Sequence, residues 1–149
     1  PKRRELLTVG SGLLARKLAC ILKVVVVVGN FIFCHGGLNS HTLRDINNIQ
    51  ELDNINNMFR RFLLGDSSIN LSELKKYISM ENSITWFRGQ GENIVRPAIC
   101  HDTIDMFTHK FGNPNYNLVI GHSIQGLCQF DEKSRLNSSI PRPRLLDGT

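Results

Sequence analysis

The sequence predicts an α/β fold, and three observations predict it. Residues 24–28 and 30–34 are short runs of valine, isoleucine and phenylalanine, the composition of strands. Between 43 and 64, Leu43, Ile46, Ile49, Leu52, Ile55, Met58, Phe59 and Phe62 recur every three or four residues, which is the helical period. A third β-rich run, at 118–120, follows a further helical stretch and a turn.

Taken in order, residues 13–21 have helical spacing. Gly29 and Asn30 both tolerate positive φ, so the first two strands read as a hairpin, and both strands are expected to be buried. The stripe over 43–64 describes one amphipathic helix or two broken ones, ended by Gly65. A shorter helix follows over 72–80, with Leu74, Tyr77 and Ile78 sharing a face. Residues 83–88 read as a strand-like piece that turns at Gly89 and Gly91. Residues 97–111 return to helical spacing through Ile104, Phe107 and Phe111. The stretch Gly112-Asn113-Pro114-Asn115 is turn chemistry and leads into the last strand. Residues 131–149 carry Pro141 and Pro143 with no apolar period, so the reading is a domain over 1–130 and an irregular or poorly ordered tail over 131–149.

Composition narrows the function classes. A chain of 149 residues suits one module, and a hydrophobic share of 41% with 21% charged residues excludes a disordered or fibrous chain. The formal net charge is +5, but the basic residues are dispersed outside Lys2, Arg3 and Arg4 and the tail residues Arg135, Arg142 and Arg144. No basic stripe with interleaved aromatics is present, which argues against nucleic acid as a partner. Cys20, Cys34, Cys100 and Cys128 form no CxxC pair; Cys20 and Cys34 read as reduced core residues of an intracellular, cytoplasmic protein. The apolar run over 19–28 is interrupted by Lys23 and falls well short of a membrane span of roughly 20 residues. Beginning at Pro1 without a methionine or signal peptide, the chain reads as an internal piece of a longer one.

Two histidines stand where strands end. Phe31-Ile32-Phe33-Cys34 delivers His35, followed by Gly36 and Gly37; Leu118-Val119-Ile120 delivers Gly121 and His122. Ligand sites in α/β folds collect at strand ends, and imidazole is a common ligand of Zn, Mn or Fe. Arg88 follows Trp86 and Phe87 and precedes Gly89. A guanidinium offers a planar fork for phosphate, and an aromatic neighbour can hold it in place. His41, His101 and His109 lie in no comparable setting and are assigned no role.

In this order, the HGGL of residues 35–38, the WFRG of 86–89 and the VIGHSIQG of 119–126 resemble the second half of the calcineurin-like metallophosphoesterases. The match is best with the phosphoprotein-phosphatase branch, and within it the Shewanella-like protein phosphatases, over about residues 10–126. The resemblance implies a piece of a β-sandwich flanked by helices, with the N-terminal half missing. It implies that His35 and His122 ligate one of two divalent metals (Mn, Fe or Zn), and that Arg88 lies near the substrate phosphate. Gly36, Gly37, Trp86 and Gly121 would support them. Paired metals in such centres activate a bridging water for in-line attack on phosphorus.

The family's earlier motifs, GDxH, GDxxDR and GNHE, are nowhere in this sequence. They carry the bridging carboxylate and the remaining ligands, so no catalytic residue is assigned here and the 149 residues alone are expected to be inactive. For the full-length parent the expectation is hydrolysis of phosphate monoesters, on phosphoprotein (Ser/Thr or Tyr) or small phosphate-ester substrates, with neither nucleic acid nor membrane as a partner. The alternatives are a dinucleoside polyphosphate hydrolase of the same superfamily and a non-catalytic interaction module that has lost its metal.

Overall fold

The computed structural model describes residues 2–90 and 96–121. The elements run α1 (Lys2–Leu7), α2 (Leu13–Ile21), β1 (Val25–Val28), β2 (Phe31–Cys34), α3 (Leu52–Leu63), α4 (Leu71–Ile78), α5 (Arg96–His109) and β3 (Asn117–Ile120), with one 3-10 turn, Ile49–Glu51, leading into α3. The fold is mixed α/β. No helix among the described residues is long and apolar enough to cross a membrane.

The strands form one sheet in the order β1-β2-β3. β1 and β2 are an antiparallel hairpin in which Val28 pairs with Phe31. Of the two turn residues only Gly29 takes a positive φ, 57°, as a hairpin with glycine at its first central position requires. β3 returns parallel to β2, setting Cys34 opposite Ile120. The parallel pairing brings the C-terminal ends of β2 and β3 to the same end of the sheet.

Side chains of a strand alternate between its faces, so each row across the sheet belongs to one face. One face carries Val25 and Ile32, 1% and 0% exposed, and packs into a core with Leu38, Leu43, Ile46, Leu52, Ile55, Tyr77, Ile84, Met106, Phe107 and Phe111. The other face is uncovered. Its row Val26, Phe33 and Val119 is 39%, 40% and 41% exposed, and the next row holds Val28 and Phe31. The expectation that both strands are buried is therefore corrected: half of their side chains lack a covering layer among the described residues.

The outer edge of β1 is closed by one side chain. Asn56, buried on α3, accepts the N–H groups of Val24 and Val25 at 2.9 and 3.2 Å and donates its Nδ2 to the Val25 carbonyl at 2.8 Å. The carboxamide does the work of a neighbouring strand, leaving these edge groups satisfied without one.

Four other expectations change. The helical stripe over 43–64 is helical only from residue 49, because Asn48 accepts the Glu51 N–H and caps the start, whereas Asn39 and Thr42 hold 39–46 in turns. Residues 83–88 are turns instead of a strand: the N–H groups of Trp86 and Phe87 both close back on the Ser83 carbonyl, at 3.1 and 2.9 Å. Cys20 is exposed, not core, since α2 presents Ala15 and Ala19 inward instead. Ile104 is 52% exposed, and α5 buries Thr103, Met106 and Phe107 in its place. The short α1 was not anticipated from the sequence. Gly91, His122 and the whole 131–149 tail lie outside the described residues.

Candidate functional site

The ends of β2 and β3 build the site's floor. His35 follows β2 directly and Gly121 follows β3, and the pairing continues one step beyond both strands, with the Gly121 N–H donating to the His35 carbonyl at 3.0 Å. A Cβ on Gly121 would lie 3.8 Å from His35 Nδ1, so the backbone after β3 passes directly beside the imidazole. His35 is exposed.

The second wall is the 84–90 segment. The N–H groups of Gly36 and Gly37 both donate to the Ile84 carbonyl, at 2.7 and 3.1 Å. At Gly36 the two segments touch main chain to main chain: a Cβ there would stand 2.8 Å from backbone atoms of Thr85, Trp86 and Phe87. Only glycine admits this approach. Gly37 is held from the opposite side, at φ 155°, where a Cβ would run into the Gln90 side chain. Further along, Asn39 Nδ2 donates to the Asn82 carbonyl at 2.8 Å, and Thr42 Oγ1 donates to the same carbonyl.

The structure thus gathers His35, Gly36, Gly37, Trp86 and Gly121 from three separate stretches of the sequence. Arg88 is exposed on the segment that Gly36 packs against. His122, the next residue after Gly121, lies outside the described residues. Beside His35 opens a groove of about 690 Å³ whose walls include Leu22, Val26, Phe33, Phe59, Trp86 and Val119. It is continuous with the uncovered sheet face.

Cys34 also borders the groove, and burial pushes its thiol up to about 12, with a backbone hydrogen bond from Gly37 pulling the other way. At neutral pH it is a protonated thiol, without the thiolate that nucleophilic or metal-ligand chemistry uses.

Among the described residues no group of three or more His, Cys, Asp or Glu side chains could hold a metal ion. His35 supplies one imidazole and belongs to no such group among the described residues. The described residues by themselves therefore do not fit a two-metal centre, and no step of hydrolysis is assigned to them. Gln90 is the residue at this site that no sequence signal marks, since its contacts are with partners 13 and 52 positions away. Compared with protein-family models, with curated proteins and with solved structures, the chain matches none.

Proposed function

We propose that this chain is part of a calcineurin-like metallophosphoesterase of the phosphoprotein-phosphatase branch, and that its parent hydrolyses phosphate monoesters, with phosphoproteins as the substrate class. The carrying observation is that the HGG segment, the WFRG segment and Gly121, separate in sequence, converge at the ends of two parallel strands. In this reading His35 and His122 are ligands of one metal of a divalent pair, drawn from Mn, Fe or Zn. Arg88 binds the phosphate through its guanidinium fork. Gly36 and Gly37 let the loop turn tightly enough to sit against the arginine-bearing segment.

The uncovered sheet face supports the same reading. Two-sheet sandwiches bury inner faces about 10 Å apart, and the apolar row of Val26, Phe33 and Val119 has the character of such an inner face. A second sheet carrying the missing carboxylates would cover it and complete the metal set.

Calorimetric titration of Mn²⁺ or Zn²⁺ into the full-length protein tests the proposal. Binding is expected for the wild type and is expected to be lost in both His35→Ala and His122→Ala. Unchanged affinity in the two variants would sink the assignment.

A further inference from the structure

We infer that Gln90 is a positioning residue, one that fixes the glycine loop following His35 against the segment that carries Arg88. Its carboxamide spans three pieces of chain. Nε2 donates to the Leu38 carbonyl, just beyond Gly37, and to Thr103 Oγ1 on α5 at 3.2 Å. Thr103, 6% exposed, is itself anchored by donating to the Ile99 carbonyl at 2.8 Å. The loop's inner side is clamped by the Ile84 carbonyl, which takes both glycine N–H groups. Gln90 clamps it from the outer side, so the loop is gripped from both ends of the 84–90 segment.

The other end of the carboxamide shows that this is more than filling. Oε1 is buried and finds no hydrogen-bond partner among the described residues, and it occupies the place a Cβ on residue 37 would need. A buried acceptor without a partner is costly, and an apolar side chain of the same length would fill the space without that cost. What a glutamine provides here is the Nε2 grip on Leu38 and Thr103. Because His35 and Arg88 lie on the two segments so joined, their separation depends on that grip. The consequence for metal or phosphate binding rests on the phosphoesterase reading; the grip itself does not.

The test is amide hydrogen exchange and histidine NMR on the full chain, without metal, comparing the wild type with Gln90→Met, which keeps the length and removes the donor. The Gly36 and Gly37 amides are expected to exchange about tenfold faster, with Ile32 and Ile55 unchanged, and the His35 imidazole resonances to move. Thr103→Val, which removes only the α5 anchor, is expected to change them in the same direction and serves if Gln90→Met does not fold. Exchange rates and His35 resonances equal to the wild type in a folded variant would overturn the inference. A parallel Zn²⁺ titration of the full-length wild type separates the two ideas: if His35 does not respond to zinc there, the phosphoesterase reading fails while the exchange result still decides the role of Gln90.

Discussion

At residue 36 a side chain of any size meets main chain. A Cβ would sit 2.8 Å from atoms of Thr85, Trp86 and Phe87, and backbone cannot swing aside as a flexible side chain can. Gly36→Ala is therefore expected to cost about 2–3 kcal/mol through overpacking, read as a lowered urea midpoint. A cost below about 0.5 kcal/mol would mean that the two segments are not in contact. On the surface, Asp66 is held at about 2 by hydrogen bonds from the Ser68 hydroxyl and backbone N–H and then by Arg61. Its folded value lies below the ordinary 3.8, so its contribution is present above that pH and is lost as pH falls toward 2. The group lies at the surface, where solvent screens it, and the effect is correspondingly small. Relative to Asp66→Asn, the wild type is expected to lose stability over that window and to run parallel to it at neutral pH, as thermal melts across pH would register.

Among the elements, β1 depends on a neighbour that is not a strand. Asn56→Leu would leave the N–H groups of Val24 and Val25 and the Val25 carbonyl without their partner. The expected loss is about 3 kcal/mol, since orphaned buried groups cost more than a hydrogen bond contributes. Equal denaturation midpoints for variant and wild type would show that water already serves this edge. The same element marks the limit of what the sequence reveals. The hairpin, α2, α4, α5 and β3 were legible because composition and period are local signals. The strand expected over 83–88 failed because Ser83 and Thr85 bond within their own neighbourhood, with Thr85 Oγ1 donating to the Ile78 carbonyl at 2.6 Å. The helix expected from residue 43 failed for the same reason at Asn39, Thr42 and Asn48. In the site, His35 and Gly36 could be picked out by their position after a strand. The grip of Gln90 and the edge-closing role of Asn56 could not, because both depend on residues distant in sequence.

For the molecule as a whole, the contrast between the two sheet faces is the governing feature. Ile32, wholly buried, and Phe33, 40% exposed, are neighbours on one strand that point to opposite faces. Ile32→Ala is expected to cost about 2–5 kcal/mol, and Phe33→Ser no more than about 1 kcal/mol, by chemical denaturation. Comparable costs at both positions would mean that the second face is already covered in this chain. Under the proposed phosphoesterase reading, the apolar face left open beside the groove among the described residues, with His35 and Trp86 at the rim, is where a second sheet would pack. The central claim is that His35, its glycine loop, the 84–90 segment and the end of β3 form one site. Zinc titration of the isotopically labelled full-length protein followed by NMR tests it most directly. The account predicts that the His35 imidazole, the Gly36, Gly37 and Gly121 amides and the Trp86 indole respond together along one binding curve. A response confined to His41, His101 and His109, with His35 unmoved, would contradict it.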